Sequence, residues 1–168
     1  MKKKIKIATI LPYKENYTFS KAAAASLWVA DFFKYSKFKN DNFIFGSTNT
    51  RDYLSKNYVN VKISNIKSKF SSSTNEYCIN FIKKNKKHNF DIIEIHNRPL
   101  VFYQLKKSLP SKFILYFHND PLTMKGSKTK KERLALLKSI DKIIFVSRWV
   151  QKQFFIDIDK KLLNKTEI

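Results

Sequence analysis

Six short apolar runs, rich in β-branched and aromatic residues, alternate along this chain with stretches of helical periodicity. The runs fall at residues 4–11, 42–47, 58–64, 91–96, 112–117 and 142–146. Such alternation predicts a parallel sheet, because parallel neighbours must be joined by crossovers, which are usually helical. Ile92-Ile93-Glu94-Ile95 and Phe113-Ile114-Leu115-Tyr116-Phe117 are nearly continuous in apolar residues, as strands covered on both faces tend to be. Right-handed crossovers then give an open sheet with helices on both sides. The expected fold is a three-layer, Rossmann-like α/β domain with a parallel sheet of about six strands. A chain of 168 residues, 43% hydrophobic, can bury one such core.

The helices are expected from their starts. Ser20 precedes the run from Lys21 to Phe33 and is placed as its N-cap. Ser73 with Glu76, and Thr129 with Glu132, each spell a Ser/Thr-x-x-Glu capping box. Pro99 suits a first helical position, and Ser147 is placed as the cap of Arg148-Trp149-Val150-Gln151. A further helix is expected at 50–57, and loops at 68–75 and 121–131.

The net charge of +21 allows three readings: compositional bias, an anionic membrane surface, or nucleic acid. Abundant Lys, Asn, Ile, Phe and Tyr with only two glycines is what A/T-rich codons supply without selection for binding. Lysines near anionic lipid gain on the order of 1 kcal/mol each, which keeps the membrane surface in play. Nucleic acid comes last, because the lysines are dispersed and no helix-turn-helix, zinc-finger or ribonucleoprotein-type motif accompanies them. The longest apolar stretch, residues 22–33, is interrupted by Ser26 and Asp31 and falls short of the roughly 20 residues that span a bilayer. Lys6 and Pro12 break the apolar run that a signal peptide would need. A cytoplasmic protein is expected, with peripheral attachment to the inner face of the plasma membrane as the variant. The single cysteine, Cys78, agrees with a reducing compartment.

Gly46 and Gly126 are the only glycines, so neither a Gly-x-Gly-x-x-Gly dinucleotide loop nor a Walker phosphate loop can be written. There is no His-Glu-x-x-His helix, no cysteine pair for zinc and no Gly-x-Ser-x-Gly nucleophile turn. No metal and no cofactor are expected. In an open parallel sheet, ligands bind beyond the carboxyl ends of the strands. There the sequence places His96, Asn97 and Arg98 after the fourth run, His118, Asn119 and Asp120 after the fifth, and Ser147 and Arg148 after the sixth. Two of the three histidines thus fall at equivalent strand ends, which predicts neighbouring imidazoles on one rim. Each has a plainer reading too: a histidine bonded to backbone, Asp120 capping a turn, Ser147 capping a helix, the arginines solvated. Glu15, after the first strand, reads as a loop carboxylate, and His88 as a surface residue.

The segments Asp91-Ile-Ile-Glu-Ile-His-Asn-Arg-Pro, Phe113-Ile-Leu-Tyr-Phe-His-Asn-Asp-Pro and Asp141-Lys-Ile-Ile-Phe-Val-Ser-Arg-Trp-Val resemble, in order and spacing, the N-terminal, acceptor-side domain of glycosyltransferase family 4. The resemblance covers roughly residues 1–156 and implies half of a GT-B architecture, with 157–168 as the start of an interdomain linker and no donor-binding domain in the sequence. It implies retaining, metal-independent transfer from a nucleotide sugar to a sugar or lipid-linked acceptor, in cell-surface polysaccharide or lipopolysaccharide synthesis. By the same resemblance His118 would bond a hydroxyl near the transferred sugar, as the catalytic residue. His96, Asn97 and Arg98 would shape the acceptor pocket, Asn119, Asp120, Ser147 and Arg148 would border the cleft, and Lys14 and Glu15 would lie in the loop approaching the donor. The family's glycine pair after the first strand is replaced by Pro12-Tyr-Lys-Glu-Asn-Tyr-Thr-Phe-Ser, so that loop must work differently. Little transfer is expected of this chain alone, which gives a separate donor-binding chain as a possible partner. The alternative is a noncatalytic basic partner or membrane-surface module.

Overall fold

The computed structural model describes residues 4–13, 15–63 and 72–168. In chain order the elements are β1 (Ile7–Ile10), α1 (Ala24–Tyr35), β2 (Asn42–Gly46), β3 (Tyr58–Asn60), α2 (Ser73–Asn85), β4 (Ile92–His96), α3 (Pro99–Lys106), β5 (Lys112–Phe117), α4 (Lys130–Ser139), β6 (Lys142–Phe145), α5 (Arg148–Phe154) and β7 (Thr166–Glu167). Short 3₁₀ turns at Pro121–Thr123 and Lys160–Lys165 complete them. The strands form a seven-stranded sheet ordered β3-β2-β1-β4-β5-β6-β7. The pairs β1–β2, β2–β3, β5–β6 and β6–β7 are parallel. No helix among the described residues is long and apolar enough to cross a membrane.

The chain divides into two compact units, Met1–Ile93 and Glu94–Ile168. The first packs Leu11, Tyr17, Val29, Ile44 and Tyr58 into a buried cluster flanked by Phe33, Tyr53 and Leu54. Tyr77, on α2, sends its buried hydroxyl to the carbonyls of Leu11 (3.0 Å) and Phe45 (3.2 Å), which ties the ends of β1 and β2 to that helix. Cys78 beside it is buried, and burial pushes its thiol up to about 12, far from reactive thiolate. Gly46 closes β2 where a Cβ would stand 2.8 Å from the Tyr58 hydroxyl, so the close approach requires glycine.

The second unit is built on phenylalanine. Phe113, Phe117 and Phe145 are fully buried, with Phe117 stacked on Phe145 and both set against Phe154 of α5. Phe102 of α3 meets Phe113 edge-on. Residues alternate across a strand, so this aromatic face leaves the opposite face of β4 and β5 to Glu94, His96, Tyr116 and His118.

Several local expectations change. Helix α1 begins at Ala24 with Ala23 at its N-cap and no side-chain cap. Ser20 is held elsewhere, its N–H donating to the Asp52 carboxylate at 2.8 Å. The capping box at Ser73 slips by one residue: Ser72 is the N-cap and accepts from Asn75 N–H, leaving Glu76 buried one position too late. The Thr129–Glu132 box forms as expected, as do Pro99 at the start of α3 and the Ser147 cap on α5. No helix forms at 50–57, because Tyr53 pairs antiparallel with Thr18 and the Phe19 N–H bonds to the Asp52 carbonyl. Segment 121–131 is wound rather than loose. Ser127 donates to the Pro121 carbonyl (2.7 Å), and the buried Arg133 guanidinium donates to the carbonyls of Lys128 (3.0 Å) and Ile156 (2.8 Å). Residues 68–71 of the other expected loop lie outside the described residues. His88 is not a plain surface residue, since its ring stacks on Phe90 and tilts against Phe43. A seventh strand, β7, joins the edge beyond β6.

Candidate functional site

Strands β4 and β5 end in the same polar pattern, and the second unit turns that repetition into contact. His96 is the last residue of β4 and His118 follows β5 directly. Their rings stack at 5.0 Å, and His96 Nδ1 lies 2.7 Å from His118 Nε2. At that distance one nitrogen carries a proton and the other accepts it. A protonated pair would set N–H against N–H.

Beneath the pair the row continues inward. The Tyr116 ring lies flat against His96, 4.6 Å between centroids and 3° between planes, and its hydroxyl donates to Glu94 Oε1 at 3.4 Å. Glu94, Tyr116 and His96 are buried, while His118 is partly exposed and forms the accessible end of the row. Burial drives the His96 imidazole well below its ordinary value, with the neighbouring His118 adding to the effect. Burial likewise lowers His118, to about 4. Both imidazoles are therefore neutral at pH 7, able to donate and accept but carrying no charge.

Asn97 makes this geometry possible. Its φ of +52° is left-handed, which asparagine tolerates better than most residues, and it turns the chain sharply at the end of β4. The Asn97 N–H then reaches the Tyr116 carbonyl (2.8 Å) while its Oδ1 accepts from His118 N–H at 2.7 Å. The buried Asn97 side chain is thus a clamp between the two strand ends.

The remaining residues divide. Arg98 stands half-exposed at the N-cap position of α3, with no side-chain cap bond. Asp120 accepts from Leu122 N–H at 2.9 Å and caps the turn that begins at Pro121, so its carboxylate serves local structure. Asn119 and Arg148 are exposed. Ser147 accepts from Val150 N–H, and the preceding residue, Val146, bonds through its N–H to the Phe117 carbonyl, which sets the end of β6 beside the end of β5. Glu15 belongs to the first unit, in a turn closed by its own N–H on the Pro12 carbonyl at 3.0 Å. Lys14 lies outside the described residues. Glu94 and Tyr116 went unnoticed in the sequence because they sit inside strands; counting back two residues from each histidine finds both.

This arrangement defines a parallel α/β domain with paired neutral imidazoles at adjacent strand ends. No family model matches the chain, and no curated protein matches it in sequence. Among solved structures, one of sucrose-phosphate synthase from Thermosynechococcus elongatus matches with a TM-score of 0.61 and 11% identity, over 92% of this chain and 84% of that one. A second structure of that synthase gives 0.60 and 10%, over 90% of this chain and 44% of the other. This chain therefore spans less than half of that second chain. The likeness is one of fold alone: a Rossmann-like α/β domain.

Proposed function

We propose that this chain is the acceptor-side domain of a family 4 GT-B glycosyltransferase, retaining and metal-independent, acting in assembly of cell-surface polysaccharide or lipopolysaccharide. The observation that carries the reading is the His96–His118 pair at adjacent strand ends, in a fold shared with sucrose-phosphate synthase. A sugar hydroxyl is both donor and acceptor, and a neutral imidazole can meet it in either role without the cost of a buried charge. In this mechanism His118 bonds the sugar, and His96 fixes its tautomer: when His96 Nδ1–H donates to His118 Nε2, the outer His118 nitrogen is a donor, and in the reverse arrangement it is an acceptor. Arg98 and Arg148 supply guanidinium forks suited to phosphate or carboxylate groups of an acceptor. The nucleotide-sugar donor and the stabilisation of its leaving diphosphate belong to a second domain, in the same polypeptide or another, because that charge must be met in a closed cleft.

Calorimetric titration of the chain with hexoses and short oligosaccharides tests the assignment. Saturable binding is expected, weakened about tenfold by His118→Ala, the equivalent of one good hydrogen bond lost. Binding that ignores the substitution removes His118 from the site.

A second reading is favoured by helix α1. Leu27, Trp28, Phe32 and Tyr35 are exposed on its outer face, with Trp28 stacked on Phe32 at 5.4 Å. Lys34 lies over the Tyr35 ring and Lys37 over Phe38, each at 5.3 Å, and Asp31 is the one acid on the helix. Aromatic residues beside lysines, in a chain of net charge +21, suit an anionic bilayer surface. The protein is expected to sediment with vesicles containing phosphatidylglycerol at low salt, and Trp28→Ala with Phe32→Ala together to cut the bound fraction severalfold. Equal sedimentation with neutral vesicles eliminates the membrane reading.

A further inference from the structure

The parallel ends of β2 and β3, paired through Gly46 and Asn60, open onto a pocket of about 480 Å³ in the first unit. That volume is within the range of small-molecule sites. Thr48, Asn49, Thr50 and Arg51 line it from the segment after β2, and Asn60 and Lys62 from the other side. We propose that this pocket binds a phosphoryl group, with Arg51 and Lys62 as its cations and the Thr48 hydroxyl as a neutral donor.

The pocket is built rather than incidental. The Asn60 side chain accepts from Thr48 N–H (3.1 Å) and donates to the Thr48 carbonyl (2.8 Å), fixing that residue's backbone from both sides. Asn80 Nδ2 on α2 donates to the Lys62 carbonyl at 2.9 Å, which anchors the second wall. Beyond Arg51 the segment is pinned by the Thr18–Tyr53 bridge and by Asp52, whose carboxylate is occupied with Ser20. The Thr48 hydroxyl oxygen is buried in a residue only 7% exposed, and it has no hydrogen-bond partner. A buried hydroxyl is rarely left so, and Thr48 is one of the residues lining the cavity. Among the described residues neither Arg51 nor Lys62 makes an ion pair and no carboxylate lines the pocket. Two unneutralised cations of different shape, a fork and a point, with hydroxyl and amide donors between them, match the oxygens of a phosphate monoester.

The site stands on its own geometry; only the molecule carrying the phosphoryl group, a soluble sugar phosphate or a lipid headgroup, rests on the glycosyl-transfer reading. Calorimetry of the intact chain with glucose 6-phosphate and glucose, alongside flotation with phosphatidylinositol 4-phosphate vesicles, separates these sources. Binding of either phosphorylated probe, with glucose far weaker, is expected. Arg51→Ala and Lys62→Ala should each weaken it about tenfold, and Thr48→Val about threefold, at unchanged melting temperature. Lys152→Ala, on α5, controls for general attraction to a basic protein and should change nothing. Affinity indifferent to the Arg51 and Lys62 substitutions, or equal for glucose, overturns the proposal. His118→Ala leaves phosphoryl binding intact, so loss of the histidine site and loss of this one are told apart.

Discussion

The folded protein is expected to lose stability steadily as pH falls from 6.5 to about 4. In the unfolded chain each imidazole takes up its proton near pH 6.5. In the folded protein burial holds His118 to about 4 and His96 well below its ordinary value. Across that window the unfolded state binds more protons than the native state, so stability is fully present above the unfolded value and declines as pH drops. At about 1.4 kcal/mol per unit, His118 alone accounts for a decline on the order of 3 kcal/mol. Asp52, held to about 2 mainly by its bond from the Ser20 hydroxyl, loses its contribution only at lower pH, between its unfolded value and 2. His88 is also lowered, by partial burial and by Lys6 and Lys87, and its ring is the most exposed of the three. Urea denaturation at half-unit steps from pH 7 to 4 measures the slope, which His118→Asn should flatten. An unchanged slope in that variant contradicts the proposed burial of His118.

Replacing Asn97 with alanine should cost the second unit about 2–5 kcal/mol. Alanine at φ +52° meets the steric penalty of the left-handed region, on the order of 1–2 kcal/mol, and abandons the His118 N–H, a partly buried donor whose loss of a partner costs about 1–3 kcal/mol. Asn97→Gly relieves the backbone but not the lost acceptor, so it should recover roughly half. Asn97→Asp keeps both the short side chain and the acceptor. Chemical denaturation of the three variants separates the contributions, and sugar binding should fall in step because His118 loses its anchor. If alanine and glycine destabilise equally, the left-handed turn contributes nothing and the clamp explains the whole effect.

The sheet was legible because its strands are dense, apolar and β-branched: β2 and β5 begin at the expected residue and end within one of it. Local signals were legible where one residue owned the role. Thr129, with Glu132 three residues on, has no rival and forms the full box. At 71–73 three serines compete, and the sequence cannot say that Ser72 wins. What stayed hidden depends on partners far along the chain. Ser20 gives its N–H to Asp52, 32 residues on, and the same pairing with Thr18 keeps 50–57 out of a helix. Strand β7 has two residues and no apolar run to announce it.

The histidine pair was legible in position, since both rings end neighbouring strands, but not in burial. His96 is 1% exposed and lies under the rim rather than on it, packed on Tyr116. The clamp by Asn97 was hidden as well, because a left-handed residue looks in the sequence like any polar loop residue. The phosphoryl pocket escaped notice for a similar reason. Thr48, Arg51 and Lys62 are separated by β3, and only the pairing of Gly46 with Asn60 brings the two segments to one opening.

The most direct measurement is the NMR of the imidazole nitrogens while a saturating acceptor sugar is added at pH 7. The account predicts two neutral rings, the His118 resonances moving saturably with sugar, and the His96 nitrogens following through the 2.7 Å bond. Saturable sugar binding that leaves both rings at their free positions would contradict it.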